Sequence, residues 1–101
     1  MADGEKVVDS SFVIPAKRGN GIVRREVWQD QRGRVTRYNL AYINHRLFAG
    51  DNGRVLGYDN AHDFHHRHWY GKVEPVEFNG FEAIEERFQE ELMQLLQEAR
   101  R

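Results

Sequence analysis

Residues 62–68 hold four of the chain's five histidines, at positions 62, 65, 66 and 68. Arg67 lies among them, and the pair Asp59 and Asn60 stands shortly before the segment. Imidazole side chains exchange protons near neutral pH, bind metal ions and donate hydrogen bonds to phosphates. Since a hydrophobic core has no need of this composition, we expect the chemistry of the protein in this segment.

One reaction that these side chains can carry out is metal-free cleavage of RNA. It needs a base for the 2′-hydroxyl proton, an acid for the leaving oxygen and a cation for the phosphate oxygens. We predict that His66 and His68 act as acid and base and that Asp59 orients a neighbouring imidazole. In an extended segment residues 66 and 68 point to one side and Arg67 to the other. Either the two histidines therefore work together, apart from Arg67, or the segment is not a strand.

Several neighbouring side chains would contact the substrate. We expect Arg67 and Arg37 to bind phosphate and Asn60 to hydrogen-bond the RNA. Trp69 offers an aromatic surface on which a base can stack. Other arginines would extend a positive track along the preceding strands and their turn: Arg24, Arg25 and Arg34.

Metal binding is a second use of the same residues. His62, His66 and His68 would supply imidazoles, with Asp59 or Asp63 as the carboxylate, a set that zinc and the later transition metals accept. The spacing matches no closed zinc pattern, and the chain has no cysteine. We therefore expect no cofactor, with a divalent metal at the three histidines as the alternative.

The rival interpretation is a non-catalytic binding module. In that case the histidine cluster binds a nucleic acid or a partner protein without changing it. Trp69 and Tyr58 would then be ordinary core or rim aromatics. Asp59 and Asn60 would form only a turn after a strand.

The chain of 101 residues predicts one domain of the α+β class. Patterns rich in β-branched and aromatic residues indicate strands at 21–28, 35–48 and 54–59, and Pro75 weakens a fourth at 72–78. We expect a small antiparallel sheet of three to four strands, arranged as a meander. Residues 1–20 are expected to be flexible or an edge arm. The apolar run at 12–14 would then join the sheet or a second subunit, which allows a homodimer.

A C-terminal helix is expected over residues 80–101, packed on one face of the sheet. Its apolar residues recur at intervals of three and four, so they form one apolar stripe along the helix. They are Phe81, Ile84, Phe88, Leu92, Leu95 and Ala99. Residues 21–78 would hold the sheet and the histidine-rich loop.

Charge is segregated although the formal net charge is only −1. Residues 17–37 are basic, which suits phosphates, and residues 82–101 are acidic, which suits a solvated helix face. No signal peptide or apolar run long enough for a membrane span is recognisable. With no cysteine, the sequence favours a cytoplasmic protein without a membrane partner.

Several motifs together resemble the TumE-type toxin family of prokaryotic toxin–antitoxin modules. They are Tyr38-Asn39-Leu40-Ala41-Tyr42, Gly57-Tyr58-Asp59-Asn60-Ala61-His62, His66-Arg67-His68 and Glu74-Pro75-Val76-Glu77-Phe78 before a C-terminal helix. The resemblance implies a toxin with ribonuclease-like activity that a cognate antitoxin, typically a DNA-binding protein, blocks. It places six residues in the candidate site: Asp59, Asn60, His62, His66, Arg67 and His68.

Overall fold

The computed structural model describes residues 4–100, which form one antiparallel β-sheet and one long α-helix. The elements are β1 (Glu5–Ile14), β2 (Gly21–Gln29), β3 (Val35–Ile43), β4 (Arg54–Asp59), β5 (His66–Trp69), β6 (Lys72–Pro75) and α1 (Phe81–Ala99). The six strands stand side by side in chain order, so the sheet is a meander. The predicted α+β class and C-terminal helix are confirmed. Residues 1–3 and 101, the ends of the predicted arm and helix, lie outside the described residues.

Among residues 4–100, no helix has both the length and the apolar character required to cross a membrane.

The expectation of three to four strands is wrong, partly because β1 forms over residues 5–14, of which only the apolar run at 12–14 was expected to be able to join the sheet. Residues 5–14 pair with β2 along the whole length of the strand. Ion pairs between the two strands take the place of an apolar pattern: Lys6 Nζ lies 2.7 Å from a carboxylate oxygen of Glu26, and Arg24 Nη2 lies 2.7 Å from one of Asp9. Strand pairing of this kind leaves little trace in hydropathy.

The histidine-rich segment supplies a further strand, β5, which pairs with β4 on one side and β6 on the other. A two-residue turn joins β5 to β6. Its residues, Tyr70 and Gly71, both have positive φ, 49° and 83°, as a tight hairpin of this twist requires. Pro75 ends β6, which is an edge strand as the sequence predicts.

The predicted strand at 35–48 is too long, because β3 stops at Ile43 and the buried Asn44 turns the chain. The Asn44 amide donates to the carbonyl oxygen of Gly19 at 3.1 Å, and its Oδ1 accepts from the backbone N–H of Arg46 at 3.0 Å. Through these bonds the Asn44 side chain pairs with backbone groups of the turn, in place of pairing with a neighbouring strand.

Side chains of β3 and α1 form the centre of the hydrophobic core. Residues two apart on a strand share a face, and the apolar stripe of α1 covers that face. The buried members are Tyr38, Leu40, Tyr42, Ile84, Phe88, Leu92 and Leu95. The predicted helical stripe is confirmed.

The opposite side of the sheet, which we call the open face, is polar. Strand register aligns Glu26, Asn39, Asp59 and His66 in one row across β2 to β5. The helix α1 lies on the other side. The open face therefore holds the histidines of β5 away from the helix.

Candidate functional site

Asp59, His66 and His68 form one cluster on the open face, which we call the Asp-His-His cluster. Asp59 is the last residue of β4, and His66, the first of β5, is its direct cross-strand partner. His68 lies opposite Gly57, two residues before Asp59. Because β5 is extended, the two imidazoles share one side, as the alternation predicts.

The carboxylate of Asp59 contacts both imidazoles through their Nε2 atoms. His66 Nε2 is 2.8 Å from Oδ1, and His68 Nε2 is 3.0 Å from Oδ2. The ring centroids of the two histidines are 4.8 Å apart. The backbone N–H of Ala61 also donates to Oδ1 at 3.0 Å. One carboxylate therefore fixes the orientation of two rings.

The cluster is buried although it lies on the helix-free side of the sheet. Asp59, His66 and His68 are 8%, 5% and 7% exposed. The Phe64 ring lies over His66, with centroids 4.6 Å apart. The side chain of Arg54 crosses the position of Gly57, where a Cβ would lie 2.9 Å from its Cδ. Phe64 and Arg54 therefore cover part of the cluster.

Hydrogen-bond accounting distinguishes the two rings. His66 Nε2 faces a carboxylate, and its Nδ1 lies 3.1 Å from the carbonyl oxygen of Phe64. Both neighbours are acceptors, and a neutral imidazole has only one N–H to donate. Satisfying both sides of His66 requires a second proton on the ring or a cation beside Nε2.

His68 is in the opposite situation, because only one of its nitrogens has a partner. Nε2 contacts Asp59, whereas Nδ1 is buried without a hydrogen bond and lies 3.9 Å from Oδ2 of Asp51. The pKa of His68 is lowered, chiefly by burial of the ring and next by the nearby Arg54 guanidinium. These two effects outweigh the opposing effect of Asp59. A neutral ring with its hydrogen on Nε2 leaves a lone pair on Nδ1.

A hollow of about 340 Å³ adjoins Asp59 on the open face. The guanidinium carbon of Arg37 stands 4.7 Å above the Trp28 ring at this hollow. Arg54 reaches it too, and its Nη1 is 3.7 Å from Oδ2 of Asp59. The hollow therefore combines positive charge, an aromatic face and an edge of the Asp-His-His cluster. Its lining also includes Glu26, Tyr38, Asn39 and Ala61.

Arg67 and Trp69 of the predicted site lie on the helix side of the sheet, away from the cluster. Arg67 Nη2 is 2.8 Å from a carboxylate oxygen of Glu91, and its Nη1 is 2.9 Å from one of Glu74. Its guanidinium carbon also stands 4.5 Å above the ring of Trp69. The predicted phosphate contact of Arg67 and base stacking by Trp69 do not fit this placement, because alternation turns both inward.

Arg25, another predicted substrate contact, also faces the helix. Its guanidinium pairs with Glu85 of α1 and stands 5.6 Å above the Phe88 ring. The structure therefore assigns Arg25 a packing role. Arg37 is the one arginine of the predicted substrate set that lies beside the cluster.

Asn60 and His62 are near the cluster in sequence but point elsewhere. The Asn60 side chain bonds the backbone of β3, accepting from Tyr38 N at 3.0 Å and donating to Thr36 O at 3.0 Å. His62 is exposed, with φ of 62°, in a short turn, and it lines a separate hollow together with Arg37, Asp63 and His65. Among residues 4–100, the donor set that could hold a metal is Asp59, His66 and His68, whose ligand atoms lie within 4.8 Å of one another. The set of His62, His66 and His68 is not brought together.

Sequence reasoning missed Asp51, Arg54 and Phe64 as neighbours of the site. Arg54 is hydrogen-bonded to Asp51, with Nε 2.9 Å from Oδ2, and it crosses the sheet where Gly57 has no side chain. Gly57 lies two residues before Asp59 and therefore shares its side of β4, and its missing side chain was the sequence feature that could have indicated room for Arg54. For Phe64, the signal was its position two residues before His66 in an extended chain.

Comparisons with protein-family profiles, curated proteins and solved structures give no match for this chain. The geometry of its own residues therefore carries the functional argument.

Proposed function

We propose that this protein cleaves RNA with the Asp-His-His cluster and acts as the toxin of a toxin–antitoxin module. The observation that carries the enzymatic part is the pairing of both imidazoles with the single carboxylate of Asp59. The two rings have different hydrogen-bonding needs, which suits an acid and a base. His66 has acceptors on both sides, and His68 keeps an unpartnered nitrogen.

In the proposed reaction His68 is the base and His66 the acid. Nδ1 of His68 takes the 2′-hydroxyl proton, and the 2′-oxygen attacks phosphorus. The bond from phosphorus to the 5′-oxygen breaks, and that oxygen takes a proton from Nδ1 of His66. The products are a 2′,3′-cyclic phosphate and a 5′-hydroxyl end. Asp59 is a positioning residue that holds Nε2 of both rings.

Substrate would enter from the open face. Phe64 must move aside, because it lies over His66 and its carbonyl oxygen is 3.1 Å from the Nδ1 that donates the proton. The residues just before it, His62 and Asp63, hold positive φ values of 62° and 65°, which cost energy for residues other than glycine. Arg37 supplies a positive charge for the phosphate at the adjoining hollow.

The toxin role rests on the motifs that resemble the TumE-type family. As such a toxin, the protein would act in the cytoplasm on cellular RNA, and a DNA-binding antitoxin would inhibit it. We also propose that the protein can form a homodimer. A short neighbouring gene with a helix-turn-helix pattern would support this role.

A non-catalytic nucleic-acid-binding role is the second candidate. The burial of both imidazoles favours it, since rings that remain covered cannot exchange protons with a substrate. In that case the arginines and Trp28 of the open face would bind RNA without cleaving it.

The test is incubation of the purified protein with total RNA in the presence of EDTA. We expect cleavage that leaves cyclic phosphate ends, its loss in the double variant His66→Ala/His68→Ala, and its retention in His45→Ala, which changes an exposed histidine outside the cluster. Full cleavage by the double variant would eliminate the proposed chemistry. Binding of RNA without cleavage by the wild type would favour the second candidate. Growth inhibition on expression, relieved by the double variant, tests the toxin role separately.

A further inference from the structure

We infer that Asp59, His66 and His68 form a binding site for a divalent transition-metal ion. The inference does not depend on RNA cleavage. It starts from His66, whose two nitrogens both face acceptors, Oδ1 of Asp59 at 2.8 Å and the carbonyl oxygen of Phe64 at 3.1 Å. A cation between Nε2 and the carboxylate resolves this conflict, since Nδ1–H then donates to Phe64 and Nε2 offers its lone pair to the ion.

The donor atoms are near enough for one ion to gather them. In the tetrahedral arrangement that zinc prefers, bonds of about 2.1 Å place any two ligand atoms about 3.4 Å apart. The two contacts between nitrogen and carboxylate oxygen measure 2.8 and 3.0 Å, slightly closer than this. All donor atoms of the set lie within 4.8 Å of one another, so coordination would draw the most distant pair together by up to about 1.4 Å.

His66 has the outer partner that metal-bound histidines use, and His68 has an acceptor nearby. A ligating histidine usually donates its other N–H to a carbonyl or a carboxylate, which fixes the tautomer. For His66 that acceptor is the carbonyl oxygen of Phe64. For His68 the nearest candidate is Oδ2 of Asp51, 3.9 Å from Nδ1 and beyond hydrogen-bond range, so the two would have to approach when the metal binds. That bond would give a partner to Nδ1 of His68, which is buried without one.

The donor types select the class of metal. Two imidazole nitrogens with one carboxylate suit zinc, cobalt and their neighbours, whereas calcium and magnesium prefer oxygen ligands. Three protein ligands leave further coordination positions, and the hollow beside Asp59 gives room for water or a substrate oxygen. The rigid strands β4 and β5 hold all three residues, which favours a preformed site.

Bound metal would interrupt the metal-free reaction proposed above, and this part of the inference rests on that proposal. Coordination through Nε2 moves the hydrogen of His68 to Nδ1, so the lone pair that serves as the base is lost. We therefore expect zinc to inhibit RNA cleavage by the chelator-treated protein.

The first test measures metal binding by the whole, chelator-treated protein, with Zn²⁺ and Co²⁺ as the probes. Calorimetry should give one equivalent of bound Zn²⁺ and a raised melting temperature. His68→Gln and Asp59→Asn should each weaken affinity more than about tenfold. His45→Gln is the matched control and should bind as the wild type does, because His45 is exposed outside the cluster. Wild-type affinity in His68→Gln, or no binding at all by the wild type, would overturn the site.

Nitrogen-15 NMR of the wild-type histidines keeps the inference testable if the variants do not fold. On addition of Zn²⁺, the Nε2 signals of His66 and His68 should move to metal-bound positions, and the hydrogen of His68 should transfer from Nε2 to Nδ1. Unchanged signals of both rings at saturating Zn²⁺ would refute the site.

RNA cleavage separates the failure of this inference from the failure of the proposed function. Cleavage in EDTA that Zn²⁺ suppresses supports both. Cleavage that requires added metal keeps the metal site and rejects the metal-free reaction. Cleavage in EDTA without any binding of Zn²⁺ keeps the reaction and rejects the metal site.

Discussion

Arg67 Nη2 lies 2.8 Å from Glu91 of α1, so the arginine between the two site histidines ties the sheet to the helix. Tyr58 joins the same contact, because its hydroxyl donates to Glu91. Side chains alternate between the two faces of β5, so residues 66–68 serve two different purposes. His66 and His68 form the candidate site on the open face, and Arg67 stabilises the other side.

Arg67→Met should therefore lower stability. The side chain of Arg67 is 13% exposed and that of Glu91 is 20% exposed, so the substitution leaves a largely buried carboxylate without its positively charged partner. We expect a loss of about 2 kcal/mol in the free energy of unfolding, between the values for exposed and fully buried pairs. Urea denaturation measures it. A stability equal to that of the wild type would show that the ion pair contributes nothing.

Arg37→Met should weaken RNA binding and change the stability little. Arg37 stands over Trp28 at the hollow beside Asp59, so we expect weaker binding of RNA and a reduced dependence of affinity on salt. Because the side chain of Arg37 is exposed, the stability change should be smaller than that of Arg67→Met. Filter binding at several salt concentrations measures the effect. An unchanged salt slope would remove Arg37 from the RNA contact.

The local patterns of the sequence predicted α1 well, because apolar residues at regular spacing reflect burial directly. For β1 they indicated only that the apolar run at 12–14 could join the sheet, because the rest of the strand is stabilised by backbone pairing and by ion pairs such as that of Lys6 with Glu26. Asn44 ended β3 early through side-chain bonds to the turn. Contacts between residues distant in the sequence decided the extent of β1, whereas a local side-chain bond contributed to the early end of β3.

The candidate site was partly predictable, because the local pattern of a strand decides which side chains share a face. Alternation placed His66 and His68 on one side, and Asp59 was the nearest acid that could orient them. It could not show that Asn60 would bond β3 or that His62 would turn outward with φ of 62°. Those outcomes depend on the turn between β4 and β5, which composition alone does not specify.

Glu26→Gln tests how the polar row of the open face depends on pH. Hydrogen bonds from Lys6 and then Asn39 lower the pKa of Glu26 below its ordinary value of 4.5, against the opposing effect of burial. A carboxyl whose pKa is lower in the folded state stabilises the fold above pH 4.5 and loses that contribution as the pH falls through the folded value. We expect Glu26→Gln to cost about 1 kcal/mol at pH 7.

The difference between Glu26→Gln and the wild type should shrink below pH 4.5 and disappear in stronger acid. Urea denaturation at pH 7 and at stepwise lower pH measures it. Glu90→Gln, which removes an exposed carboxylate from α1, is the matched control and should change the stability by less than about 0.5 kcal/mol throughout. A difference that persists unchanged into strong acid would contradict the assignment to the Glu26 carboxylate.

Phe64→Ala should uncover His66. The two rings are 4.6 Å apart and Phe64 is itself 46% exposed, so its removal opens the cluster with little loss of core packing. We expect a several-fold faster reaction of His66 with diethyl pyrocarbonate, measured by mass spectrometry. Phe12→Ala, at an exposed aromatic residue of β1, is the control and should leave the rate unchanged. An unaltered rate in Phe64→Ala would show that this ring does not limit access.

Arg54→Gln should strengthen the binding of Zn²⁺ by the Asp-His-His cluster. The guanidinium lies 3.7 Å from Oδ2 of Asp59 and opposes a second positive charge there. It also occupies Oδ2 of Asp51 at 2.9 Å, the oxygen that would accept a hydrogen bond from Nδ1–H of His68. Its loss removes repulsion and frees that acceptor.

We expect the affinity of Arg54→Gln for Zn²⁺ to rise about fivefold, since one partly screened charge at this distance is worth on the order of 1 kcal/mol. Calorimetry on the chelator-treated variant measures it. Arg46→Gln, at an exposed position after β3, should bind Zn²⁺ as the wild type does. Weaker binding by Arg54→Gln would mean that Arg54 holds Asp51 and Asp59 in place for the metal, and that its positioning effect exceeds its repulsion.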